Sequence, residues 1–230
     1  MRLFDFPFGR RPLVLISHFS FFLFISSCTK DFYDKGEGEY SLLRADFVEA
    51  HVRGDKRVDY VLTDDGDSLR TNKPFTVSWL QKGDTIYRAL LYYNLIDGEV
   101  DGYNLSQVLT PTIKRPDRIK GGMKTDPVHL VSLWKANTGR YLNMRLRIMT
   151  GETSDSSAVQ AFGCVCDTVM SYDNGYRTMQ LRLYHDQGGQ PEYYSREVYL
   201  SIPVHDVKAD TIIMRVRTYD NEVERLFINN

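Results

Sequence analysis

Few side chains in this 230-residue chain have the type and spacing to do chemistry. Cys28 follows Ile25-Ser26-Ser27, a thiol placed directly behind small residues at the end of an apolar run. Cys164 and Cys166 are two apart, so on a strand they share one face with Phe162. A disulfide between them would close a very short, strained loop. Two small buried hydrophobes fit better, because a metal or redox pair has no further Cys or well-spaced His to complete it. His51, His129, His185 and His205 each fall in a different element. His185-Asp186 ends a strand just before Gly188-Gly189; a general base is conceivable there, but a solvated hairpin residue is the better reading. Asp64-Asp65-Gly66-Asp67 offers oxygens to Ca²⁺ but lacks the alternating acids and distal Glu of a calcium loop, so it reads as an Asp-Gly turn. Ser-x-x-Lys occurs at Ser27–Lys30 and Ser132–Lys135 without the companion motifs of an acyl-transfer site. G-x-S-x-G, H-E-x-x-H and the P-loop are missing from the sequence. The expectation is a protein that is not an enzyme, with no metal and no cofactor.

Cys28 gains meaning from what precedes it. Arg2, Arg10 and Arg11 lead into an apolar run from Leu13 to Ile25, interrupted by Ser17, His18 and Ser20. A membrane-spanning helix needs about 20 apolar residues, and this run is shorter. Basic start, apolar middle and small residues make a signal peptide over residues 1–27. A cysteine at that junction resembles the lipobox of bacterial lipoproteins, which implies that Cys28 is acylated, carries palmitate and becomes the first residue of the mature chain. Residues 28–40 then read as the lipidated cysteine and a polar tether. Lys30-Asp31 looks like the lysine-then-acid tag of surface-exported lipoproteins. The expected location is the bacterial outer membrane, lipid-anchored and facing the periplasm or the outside, with the membrane as first partner.

Charge narrows the remaining partners. The full chain carries 29 basic and 30 acidic side chains. Removing residues 1–27 takes away three arginines and Asp5, which leaves 26 against 29, or −3. That balance argues against nucleic acid as a partner. With 15 Tyr and 12 Phe, composition favours strands over helices.

From Leu42 onward the periodicity is that of strands. Leu42–Val52 switches parity between Phe47 and Val48, the pattern of a bulged or bent strand. Val58, Tyr60 and Leu62 alternate, as do Phe75, Val77 and Trp79. Ile86–Ile96 is apolar on both parities, and Tyr103–Ile113 makes a last strand before Lys114–Lys124, a basic connector. Five or six strands in about 70 residues suit a small barrel. The second half alternates more cleanly. Leu142, Met144, Leu146 and Ile148 oppose Asn143, Arg145 and Arg147, and similar runs centre on Leu181, Leu200 and Met214. That is an antiparallel β-sandwich. The expected domains are an OB-like barrel over 41–114, a linker over 115–125 and the sandwich over 126–230.

This order, with the stretches Asp126–Trp134 (DPVHLVSLW), Tyr141–Arg147 (YLNMRLR), Leu181–Ser201 (LRLYHDQGGQPEYYSREVYLS) and Asp210–Asp220 (DTIIMRVRTYD), resembles the NigD-like lipoproteins of the bacterial envelope. The resemblance implies an all-β protein, an N-terminal OB-like barrel followed by a C-terminal sandwich. It implies little about activity; the family is named for a bacteriocin-linked gene cluster.

Binding is therefore the expected mode of action. The leading reading is a non-enzymatic envelope lipoprotein engaged in binding or assembly. A second is a glycan-binding module on the OB-like face, with Trp79 and Tyr92 as the candidate ligand-binding residues. A third is a bacteriocin-linked immunity or partner-binding protein. Arg145, Arg147, Arg182, Arg215 and Arg217 on polar strand faces are either a binding surface or a guard against edge-to-edge aggregation.

Overall fold

The computed structural model describes residues 43–229. The expected signal peptide over 1–27, the expected tether over 28–40 and Cys28 lie outside the described residues. Five strands close a barrel: β1 (Arg44–Val52), β2 (Val58–Thr63), β3 (Ser68–Phe75), β4 (Thr85–Ile96) and β5 (Glu99–Gln107). Their order round the barrel is β1-β2-β3-β5-β4. β1 and β4 close it antiparallel, from Arg44 opposite Tyr93 to Val52 opposite Thr85. β3 meets β5 in parallel at Thr71 and Val100. This is the OB-like arrangement expected.

The parity switch in β1 has a cause beyond a bulge. A bulge does occur, between His51 and Val52, but it follows the switch. Phe47, Val48, Glu49 and Ala50 are all buried in succession. Val48 and Ala50 enter the barrel core, whereas Phe47 packs with Leu90 and Val108 in a separate cluster against Trp134 and Tyr199 of the following domain. β4 is apolar on both parities for the same reason: Ala89, Leu91 and Tyr93 fill the barrel while Leu90 and Tyr92 face the neighbour.

Two sequence expectations need correction here. β2 shifts register between Val58 and Tyr60, so Val58 and Val61 occupy the core and Tyr60 turns outward. β3 ends at Phe75, and Trp79 sits in a turn between β3 and β4, with Val77 and Leu80, packed onto the barrel core. Gly83 in the same connection has no room for a side chain. A Cβ there would lie 2.5 Å from the Arg53 carbonyl oxygen and 2.7 Å from Gly54 Cα.

The barrel also ends earlier than expected. β5 stops at Gln107, and Ile113–Lys114, here β6, pairs in parallel with a later strand at Cys164 and Val165. Pro111 between them has no N–H to extend a ladder. The 41–114 segment therefore hands its last residues to the sandwich.

After a 3₁₀ turn at Pro116–Arg118, the sandwich continues through β7 (His129–Lys135), β8 (Tyr141–Thr150), β9 (Ala161–Ser171), β10 (Arg177–Asp186), β11 (Tyr194–Pro203), β12 (Thr211–Arg217) and β13 (Glu222–Ile228). One sheet runs β13-β12-β10-β9-β6 and the other β11-β8-β7. The alternation read from the sequence becomes the core: Leu142, Met144, Leu146, Leu181, Leu200 and Ile212 are all fully buried. Burying each such side chain contributes about 1.5–3 kcal/mol. The larger sheet is not wholly antiparallel. β10 and β12 run parallel, because β11 between them crosses to the opposite sheet.

Candidate functional site

Tyr60, turned outward by the register shift in β2, lies on a groove of about 600 Å³ lined by Arg53, Asp59, Arg70 and Glu99 among others. These residues come from the β1–β2 connection, β2, β3 and the first residue of β5. In five-stranded barrels of this type, the β2–β3 face and its flanking loops take oligosaccharides and oligonucleotides. The Tyr60 ring stacks on His51 at 3.9 Å and 19°. Burial lowers the His51 pKa from its ordinary value, outweighing the pull of Glu49 and Asp59 in the other direction. The groove presents guanidinium donors, carboxylate acceptors and one aromatic platform. That chemistry suits holding a ligand. Neither His51 nor Tyr60 belongs to a motif, and the register shift that turns Tyr60 outward has no sequence marker.

The barrel is joined to the sandwich by a buried polar network that spacing alone did not reveal. Arg88 on β4 donates from Nη2 to Asp64 Oδ2 at 2.6 Å and to Asn143 Oδ1 at 3.1 Å, and from Nε to Ser201 Oγ at 3.0 Å. Ser201 Oγ donates to Asn143 Oδ1 at 2.6 Å, and Asn143 Nδ2 donates to Asp64 Oδ2 at 2.7 Å. The guanidinium lies 4.0 Å from the Tyr141 ring centroid. Asp65 accepts from Asn137 Nδ2 at 2.6 Å. The Asp64–Asp67 segment is the hairpin turn expected, and its first two carboxylates dock the second domain. Among the described residues no group of three or more His, Cys, Asp or Glu is placed to hold a metal ion.

A second contact lies beside it. Glu49, buried, accepts from Tyr141 OH at 2.7 Å and pairs with Arg140 Nη1 at 3.0 Å. Burial first, and the Glu49 carboxylate second, push the Tyr141 pKa up to about 12. Tyr93 is also pushed up to about 12, by burial and by its hydrogen bond to Asp46 Oδ2 at 2.8 Å. Both phenols ionise near 10 in the unfolded chain. The folded state therefore holds its protons longer, and its stability is complete below pH 10 and falls as pH rises from 10 through about 12. In a spectrophotometric titration at constant temperature, two phenols should ionise together with unfolding. A smooth titration of every tyrosine near pH 10, with the fold intact, would contradict this.

The residues singled out by sequence are placed as follows. Trp79 is half-buried; its Nε1 donates to the Leu105 carbonyl at 2.8 Å, and its ring meets Tyr87 edge-on at 5.4 Å. Tyr92 is instead part of the interdomain cluster with Phe47 and Trp134. The two do not form one platform. His185 is not solvated, as had been expected. It is 1% exposed, stacked on Phe162 at 4.7 Å, with Nδ1 2.9 Å from the Asp126 carbonyl. Its strand end is covered by residues 124–126, which bridge onto it. Cys164 is buried and Cys166 half-buried; both are free thiols packed with Phe162 in the sandwich core, and burial raises both pKa values. Of the arginines, Arg145 pairs with Glu197, Arg182 with Asp167 and Glu222, and Arg215 with Glu224. These side chains are spent on cross-strand pairs.

Residues 111–229 match the family model of the NigD-like C-terminal beta sandwich domain. A NigD-like immunity protein from Bacteroides caccae has the same fold at TM-score 0.64 and 27% identity, over 81% of this chain and 97% of that one. A protein of unknown function from Bacteroides vulgatus aligns at TM-score 0.61 and 15% identity, over 82% of this chain and 91% of that one. A candidate lipoprotein from Bacteroides fragilis aligns at TM-score 0.57 and 13% identity, over 82% and 98%. No curated protein matches the chain.

Proposed function

The chain belongs to the NigD-like family, and on that footing we propose that it is a Gram-negative envelope lipoprotein, anchored in the outer membrane through Cys28 and acting by binding or assembly rather than catalysis. The observation that carries the binding half is the groove across β2 and β3, lined by Tyr60 together with Arg53, Arg70, Asp59 and Glu99. The anchoring half is supported by the leader residues before Cys28. Multiple acyl chains give the stable attachment that one chain does not.

Replacing Cys28 tests the anchor directly. Cys28→Ala should move the protein from the membrane fraction to the soluble fraction and abolish palmitate labelling. Retention of both in the variant would remove the anchor from the proposal.

A protein partner is the more specific form of the reading. It is favoured by the 27%-identical neighbour described as an immunity protein. Cross-linking in intact cells, followed by recovery of this chain, should yield one partner that Arg70→Glu and Tyr60→Ala both lose. A partner recovered equally well with these variants would place recognition outside the groove.

A further inference from the structure

Between barrel and sandwich lies a second cleft, of about 480 Å³, within the range of small-molecule sites. Trp79 and Ile86 line it from the barrel, Leu109 from the connection and Arg140 from the sandwich, with Glu49 and Arg88 also contributing. Three features of this cleft point to one kind of ligand.

The aromatic wall is set in advance. The Trp79 indole is pinned by its hydrogen bond to Leu105 and by the edge of Tyr87, so ordering it on binding costs little. The rim is apolar and exposed, with Ile86 at 52% and Leu109 at 39%. Exposed apolar residues around a concavity commonly mark a binding site. The polar part pairs donor with acceptor: the Arg140 side chain is 39% exposed and Glu49 only 5%.

The charges decide the class of ligand. Arg88 is balanced by Asp64 and Arg140 by Glu49, so neither an anion nor a cation gains from net charge. A neutral molecule that donates and accepts hydrogen bonds, and carries an apolar C–H face for the indole, matches every wall. We propose that this interdomain cleft is a saccharide site for neutral sugars, with Trp79 as the stacking wall and Arg140 with Glu49 as the hydroxyl-binding pair. It is separate from the β2–β3 groove and does not depend on that groove having a partner.

The test uses the full chain in detergent micelles and calorimetric titration. Its probes are neutral N-acetylated oligosaccharides of the peptidoglycan type, neutral gluco- and manno-oligosaccharides, and oligogalacturonate as the anionic comparison. At least one neutral class should bind, and which one does so distinguishes the source of the sugar. Trp79→Ala and Arg140→Gln should weaken binding about tenfold or more. Ile86→Arg, at an exposed position, should block the cleft with the fold kept, and Tyr60→Ala in the groove should leave affinity unchanged. No binding by either neutral class, equal binding of oligogalacturonate, or neutral binding that survives Ile86→Arg would overturn the proposal. Loss of sugar binding by Tyr60→Ala would move the site to the groove, which also overturns it. Membrane attachment of the Ile86→Arg protein is read separately, so a failure here is distinct from a failure of the anchor.

Discussion

Arg88→Ala should be the most damaging single polar substitution, lowering stability by about 3–5 kcal/mol. The Arg88 side chain is 3% exposed and the Asp64 side chain it pairs with is 16% exposed. Removing the guanidinium leaves a mostly buried carboxylate without its cation, and leaves Asn143 and Ser201, both fully buried, short of a donor. It also strips the cation from the Tyr141 ring. For a domain pair of this size, each kcal/mol moves Tm by about 2–4 °C, so a fall of about 6–20 °C is expected in a thermal melt. A double-mutant cycle with Asp64→Asn should show a coupling of about 0.5–3 kcal/mol, because the two side chains belong to one network. A loss below about 1 kcal/mol for Arg88→Ala would mean that water replaces the guanidinium at little cost.

Leu146→Ala should rank beside it, at about 2–5 kcal/mol in urea unfolding. Leu146 is fully buried at the centre of the smaller sheet, opposite Leu130 on β7 and Val198 on β11. Truncation removes apolar contact and opens a cavity between two sheets that cannot easily collapse. Arg147, next along β8, is exposed, and Arg147→Ala should stay within about 0.5 kcal/mol. Similar costs at the two positions would refute the two-sided character of β8.

These two positions differ in how well the sequence announces them. Leu146 lies in a run of strict alternation, and alternation reports which face of a strand is dry. Arg88 lies in a stretch apolar on both parities, which says only that both sides of β4 are covered. What covers the second side comes from Asp64, Asn143 and Ser201, separated from Arg88 by 24, 55 and 113 residues. Asn143 reads as solvent-facing because periodicity registers a polar face without saying whether another domain sits on it. The groove was hidden for a different reason. A one-residue shift in β2 exchanges its faces, so Tyr60, read as core-facing, became the platform. Trp79 was found by residue type alone, in a turn where a strand had been expected. The pairing of β10 with β12 was beyond reach, since strand direction is set by which sheet β11 joins.

β1 is hydrogen-bonded along both edges, to β2 and to β4. Among the described residues it is also the first strand, and so the one nearest the proposed anchor at Cys28 in the sequence. A pull on this body in an anchored cell would therefore enter along the axis of β1. The bonds of an antiparallel ladder lie across the strand direction, so such a load shears two ladders at once and cannot peel one bond at a time. If the chain is anchored as proposed, a tug would reach a strand held along both edges and be borne by the barrel as a whole.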